Sequence, residues 1–240
     1  MRVPYGMELI EDCKTCPTRK EGFFCQLPCA ALNAFMNVKF TTTYPGQAVL
    51  FVEGQAPRGV YMLCQGRVKL TMNSIEGKTL IVRICQPGEI LGAHATISGE
   101  PYEVTAEALQ PCQVDFIPRE DFLKLVHDQP AIALAALRQL SNSYRRACQE
   151  IRYLGLSRSA SEKVAQFLLE TASNARQTNQ GKRFHLGLTH EEISQIVGIS
   201  RETVTRTMTE FKSKELIATQ GPTVVIRNES GLKAQAAAVA

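Results

Sequence analysis

The sequence lacks any run approaching the roughly 18 consecutive apolar residues that a membrane-spanning helix needs, which argues against a helical membrane protein. Its first residues, MRVPYGMELIEDCKTC, carry acids and polar groups where a secretory signal requires an apolar stretch. The expected location is therefore the reducing cytoplasm, where structural disulfides are rare. Net charge is also scarce: 27 Lys+Arg oppose 23 Asp+Glu, a formal +4, so a nucleic-acid partner is permitted but cannot be argued from charge. Tryptophan is absent, and the four histidines, His94, His127, His185 and His190, show no spacing that suggests a metal or haem ligand. Cysteine, by contrast, is plentiful, with eight in 240 residues. A chain of this length buries about 70% of its unfolded surface, so the cysteines are not needed as staples. In a reducing compartment they point to metal or redox chemistry.

Four of them, Cys13, Cys16, Cys25 and Cys29, lie among turn-forming and charged residues in a leader with no apolar stripe. Something other than packing is expected to hold that leader together. From about Lys39 to Pro118 the apolar runs become short and β-branched, as in Gly59-Val60-Tyr61-Met62-Leu63 and Leu80-Ile81-Val82-Arg83-Ile84. Pro45-Gly46, Gln65-Gly66 and Pro87-Gly88 punctuate them, a pattern that predicts a sandwich or barrel. After Pro118 the period turns helical, first over 119–126 and then from Pro130. In the longer segment Ala133, Leu137, Leu140, Tyr144, Ala147, Ile151 and Leu154 recur by four and three residues, a heptad seam that favours a dimer helix. Gly155 to Ser159 reads as a hinge, 160–171 as another helix, 172–183 as an exposed polar loop, and the last residues as a tail that frays.

The stretch LTHEEISQIVGISRETVTRTMTEFKSKELI, residues 188–217, is the most informative. Thr189 and Glu192 have the spacing of a capping box. Ile193, Ile196 and Val197 give an apolar face, Gly198 ends that helix, and Ser200 caps a second one built on Val204, Met208 and Phe211. Two short helices joined at a glycine form a helix-turn-helix. Arg201, Glu202, Thr205 and Arg206 share the outer face of the second helix, where Arg can clamp guanine and Glu can accept from cytosine. Thr189, Ser200, Arg201, Glu202, Thr205 and Arg206 are thus the candidate DNA-contacting residues. Beyond them, 216–219 and 223–226 flank Gln220-Gly221-Pro222 as a hairpin, a wing for the phosphate backbone.

Ile199-Ser200-Arg201-Glu202-Thr203-Val204-Thr205-Arg206, the Gly-punctuated strands and the long helix between them resemble the Crp-Fnr superfamily of transcription regulators over nearly the whole chain. The resemblance implies an α+β fold: a cysteine-rich leader over 1–38, a cyclic-nucleotide-binding-type β-roll sensor over 39–129, a long dimerisation helix over 130–156, a C-terminal winged helix-turn-helix over 157–229 and a tail over 230–240. It also implies a homodimer, a two-fold symmetric double-stranded DNA site with TGTGA-like half-sites, RNA polymerase as a partner, and no membrane. Members that bind cyclic nucleotide carry Gly-Glu on the ribose and Arg-Ser on the phosphate. Here Ala93 stands for the Glu, and Tyr102 and Glu103 for Arg and Ser, so cyclic AMP is not expected.

Cys13-x2-Cys16-x8-Cys25-x3-Cys29 offers four thiols that could converge on a metal ion or cluster. The Fnr branch resembles this, with three leader cysteines and a fourth from the roll on an iron-sulfur cluster, expected here as 4Fe-4S. Cys13, Cys16 and Cys25 match the first three. The family's fourth position falls on Asp115, with Cys112 three residues earlier and so on the opposite face of a regular strand. Cys112, Cys29 and Asp115 are all candidates for the fourth ligand, in that order, whereas Cys64, Cys85 and Cys148 read as small core residues. Zinc, a thiol switch and a small-molecule effector in the roll are the alternatives to a cluster. A thiol-disulfide enzyme is disfavoured, because no strand-helix context or basic side chain accompanies Cys13 and Cys16.

Overall fold

The Gly-cornered runs between residues 40 and 118 pair as two antiparallel four-stranded sheets. The computed structural model describes residues 4–19, 22–156, 159–173 and 175–237, with side chains described there except at 149, 150, 152–156 and 237. The chain divides into two units, Met1–Ala147 and Cys148–Ala240.

In the first unit, α1 (Cys29–Val38) precedes β1 (Phe40–Tyr44), β2 (Val49–Phe51), β3 (Gly59–Gln65), β4 (Val68–Asn73), β5 (Thr79–Cys85) and β6 (Ile90–Leu91). Then follow α2 (Ala93–Ser98), β7 (Thr105–Ala108), β8 (Cys112–Pro118), α3 (Arg119–Asp128) and α4 (Pro130–Leu156), whose last residues, from Cys148, belong to the second unit. One sheet has the order β1-β8-β3-β6 and the other β2-β7-β4-β5, the expected roll. Strand β3 is almost wholly apolar because both its faces are covered. Tyr61 and Leu63 join Phe51, Val114 and Cys112 in the core of the roll, while Val60 and Met62 face a second cluster with Phe24, Leu32, Phe35 and Phe122.

That second cluster corrects the expectation that packing does not hold the leader. Phe24, Leu27, Ala31, Leu32 and Phe35 are each at most 3% exposed, and Phe24 lies 6.2 Å from the Phe35 ring and 6.3 Å from Phe122. The stripe escapes notice because it begins in a loop and continues into α1, so neither half shows a full helical period. Gly22 passes flush against the roll: a Cβ there would lie 1.9 Å from the Gly88 carbonyl oxygen.

Helix α4 presents two stripes. Ile132, Ala135, Ala136 and Gln139 are buried, and the Gln139 amide bonds both backbone groups of Ile90. Leu137, Tyr144 and Ile151, seven residues apart, are 63%, 74% and 71% exposed. Leu140 is half-buried, Ala147 is exposed, and the Leu154 side chain lies outside the described residues. The helix continues through Gly155 and Leu156, so no hinge begins at Gly155; 157 and 158 are outside the described residues.

The second unit holds α5 (Ala160–Thr171), β9 (Arg176–Thr178), β10 (Gly181–His185), α6 (His190–Val197), α7 (Arg201–Ser213), β11 (Ile217–Gln220), β12 (Thr223–Ile226) and α8 (Glu229–Ala237). The polar segment expected as a loop is instead the β9–β10 hairpin, whose second strand pairs with β12 to give the sheet order β11-β12-β10-β9. Polar strands are stable there because the ladder, rather than an apolar face, supplies their bonds. The tail is likewise ordered through residue 237. Asn228 accepts from the Gly231 N–H at 2.8 Å, and Leu232 is fully buried in the unit's core.

Candidate nucleic-acid interface and leader thiol site

Both helices of the helix-turn-helix are closed at their ends by their own side chains. Thr189 accepts from the Glu192 N–H at 3.1 Å while Glu192 accepts from the Thr189 N–H at 2.8 Å. Gly198 adopts the left-handed cap conformation, φ 67°, that ends α6 at little steric cost. Ser200 accepts from the Thr203 N–H at 3.2 Å and starts α7. Val204, Thr207, Met208 and Phe211 turn inward onto Ile193, Val197, Leu168 and Val224. This leaves Arg201, Glu202, Thr205 and Arg206 on the exposed face with Thr209. Thr189 and Ser200 flank that face, and their hydroxyls are occupied in capping.

His190 also belongs to this surface, which its position after a cap did not suggest. Its Nδ1 lies 2.8 Å from Thr205 Oγ1, tying the start of α6 to the reading face. Burial, then the positive charges of Lys212 and Arg201, lower its pKa and favour the neutral ring. Thr205 in turn donates to the Arg201 carbonyl at 3.0 Å.

In the first unit, Cys13, Cys16 and Cys25 line one cavity with Phe24, Phe35, Cys64 and Asp115. Strands β3 and β8 form its fixed wall and the leader loop forms the other. The loop is pinned by the fully buried Gln113, whose amide accepts from the Ile10 N–H at 2.8 Å and donates to the Ile10 carbonyl at 2.7 Å. Arg19 folds back to donate to the carbonyls of Cys25 and Leu27 at 2.7 and 3.3 Å. Asp115 takes Lys39 at 2.7 Å and Thr41 Oγ1 at 2.6 Å, with Cys64 Sγ 3.4 Å away. Burial, and then the Asp115 carboxylate, push the Cys64 thiol up; burial is also the main cause at Cys13.

Cys112 is not brought to this cavity, which corrects its ranking as first candidate for the fourth ligand. It points with Val114 into the core between the sheets, fully buried, whereas Gln113, Asp115 and Ile117 face the leader side. Burial raises its pKa to about 11. Cys29, the first residue of α1, is exposed and does not line the cavity. Cys64, read as a core residue, does line it, and the missing signal was a bulge that no alternation pattern reveals. Among the described residues no three Cys, His, Asp or Glu side chains converge closely enough to hold a single metal ion.

Residues 41–129 match the family model of the cyclic nucleotide-binding domain, and 162–235 match that of the Crp-like helix-turn-helix domain. The chain belongs to the Crp-Fnr superfamily. It is 26% identical over 184 residues to the cAMP-activated global transcriptional regulator CRP of Pasteurella multocida, covering 76% of this chain and 88% of that protein. It is 25% identical over 218 residues to the CRP-like cAMP-activated global transcriptional regulator of Mycobacterium tuberculosis, covering 90% and 97%. The solved structure of FixK2 from Bradyrhizobium japonicum superposes with a TM-score of 0.74 over 85% of this chain and all of that one, at 24% identity, a likeness of fold. The chain is accordingly a DNA-binding transcription regulator rather than an enzyme.

The resemblance sets Ala93, Tyr102 and Glu103 at the nucleotide positions of the roll. Tyr102 is 3% exposed, stacks on Phe51 at 4.1 Å, and donates its hydroxyl to the Gly59 carbonyl at 2.8 Å. Ala93 is buried, and Glu103 pairs with His94 at the surface. No helix among the described residues is long and apolar enough to cross a membrane.

Proposed function

We propose that this regulator acts as a cytoplasmic homodimer that senses oxygen, nitric oxide or redox state through an iron-sulfur cluster in its leader, and that from a two-fold DNA site it contacts RNA polymerase. The observation that carries the sensing half is the convergence of Cys13, Cys16 and Cys25 on one cavity against the roll. Thiolates are the ordinary ligands of such clusters, and those three residues match the Fnr pattern. When bound, a cluster supplies redox chemistry and reactivity toward oxygen or nitric oxide. Zinc is the alternative occupant, since four thiolates would close a structural site around it. Cyclic AMP finds no phosphate-binding Arg-Ser pair here, and Tyr102 fills the neighbouring core.

The chain's own part is to couple the leader to α4. The cavity has room for only about 20 Å³, roughly one water, so loading it requires residues 7–19, which contain turns but no helix or strand, to move outward from β3 and β8. Phe23, beside that loop, forms an open cleft of about 360 Å³ with Leu137, Arg138, Ser141, Asn142 and Arg145 of α4. Displacing the leader therefore changes the surroundings of the exposed apolar stripe. Pairing of that stripe between two copies would set the α7 helices about one DNA turn, roughly 34 Å, apart. The equilibrium moves only by the difference in ligand affinity between the paired and unpaired arrangements.

Protein purified without air is expected to be brown, to contain iron and sulfide, and to bind DNA bearing inverted TGTGA-like half-sites as a dimer. Admitting air is expected to bleach it and weaken that binding. A colourless, iron-free protein after anaerobic reconstitution overturns the cluster reading and leaves the DNA-binding function intact. Zinc in its place would make the leader a closed structural element.

A further inference from the structure

We propose that Cys64 is the fourth ligand of the leader site and that Asp115, at the family's usual position, is a positioning residue that does not coordinate. The proposal rests on the reading of the leader as an iron-sulfur site. Its first support is the bulge in β3. Leu63 pairs with Val114 and Gln65 with Gln113, so Cys64 has no cross-strand partner in the ladder. A bulge sets two consecutive residues against one and re-aims a side chain. Here Gln65 reaches the Glu8 carbonyl of the leader, and Cys64 turns onto the cavity that Cys13, Cys16 and Cys25 line.

The second support is what Asp115 is already doing. One carboxylate oxygen accepts from Thr41 at 2.6 Å and the other from Lys39 at 2.7 Å, with side-chain exposures of 7% for Lys39 and 1% for Asp115. Diverting that carboxylate to a metal would leave a buried ammonium without its partner, a costly exchange. A thiol 3.4 Å away, held by a weak bond to the same carboxylate, is the softer ligand and the easier one to release. On coordination the Cys64 thiol loses its proton to solvent and its sulfur lone pair goes to iron. Lys39 keeps Asp115 charged and occupied throughout.

The full-length chain, reconstituted without air with ferrous iron and sulfide, tests this. Wild type and Cys112→Ser are expected to retain iron, sulfide and visible absorption, whereas Cys64→Ser loses most of its bound iron and its visible absorption. Circular dichroism and the unfolding midpoint of the iron-free chains confirm that the variants fold. Wild-type iron content and spectrum in Cys64→Ser overturn the assignment while leaving the cluster reading standing. A wild type that takes up neither iron nor sulfide overturns both. Should Cys64→Ser fail to fold, Cys64→Ala is measured in its place and is expected to show the same loss of iron, sulfide and visible absorption. Wild-type iron content and spectrum in Cys64→Ala overturn the assignment.

Discussion

The DNA-reading helices and the leader are both short and rich in polar residues, yet they are held in opposite ways. In α6 and α7 each closing bond spans three or four residues: Thr189 with Glu192, Ser200 with Thr203, Gly198 with Ser194. The leader has local bonds too, from Arg19 to the carbonyls of Cys25 and Leu27, but its hold on the roll runs through Ile10 and Gln113, 103 positions apart. A segment whose ends are closed by its own neighbours needs less from the rest of the chain to keep its shape. One that leans on distant partners has a shape that can be withdrawn. The reader must present Arg201 and Arg206 in the same way each time it meets DNA, while a sensing leader has to possess a second arrangement.

The most severe way to break this contrast is to remove the packing that makes the leader conditional. Phe24→Ala deletes a ring buried against Phe35 and Phe122, and the expected loss is about 3–5 kcal/mol in urea unfolding of the iron-free chain. An unchanged midpoint would mean that the leader contributes nothing to the stability of the roll. Next comes Arg206→Ala, on the exposed face of α7, expected to cost about 1–3 kcal/mol in DNA affinity and to relax discrimination at one base pair. Titrations against DNA substituted at each position of the half-site read this out. A uniform weakening across all sequences would reassign Arg206 to the phosphates.

The same contrast sets what could be read from the sequence. The caps, the turn glycine and the inward register of α7 are local features, so Thr189, Gly198, Ser200 and the exposed Arg201, Glu202, Thr205 and Arg206 were legible, as were most strands of the roll. The buried stripe of the leader, the clamp of Gln113 on Ile10 and the place of Cys64 are products of tertiary pairing. Cys112 illustrates the limit well. Strand alternation already turned it away from the Asp115 face, but only the bulge, invisible as a pattern, brings another thiol to that side. The polar β9–β10 hairpin and α8 were missed for a related reason, since their stability comes from a neighbouring strand and from one buried leucine.

Smaller effects sharpen the local half of the comparison. Thr189→Ala removes the hydroxyl of a complete capping box and is expected to destabilise the second unit by about 1 kcal/mol, read from its unfolding transition. The smallest expected effect concerns His190. Its folded pKa is lowered by burial and by the positive charges of Lys212 and Arg201, so its contribution to stability is complete above the ordinary histidine value of about 6.5. As pH falls through the lowered value the ring must charge beside two cations, and that contribution disappears. The unfolding midpoint of the second unit should therefore fall more steeply below pH 6.5, by about the proton uptake of one group, than that of His190→Gln. Identical pH profiles would show that neither burial nor the charges of Lys212 and Arg201 act on the His190 ring, leaving the caps as the means by which α6 and α7 hold their geometry.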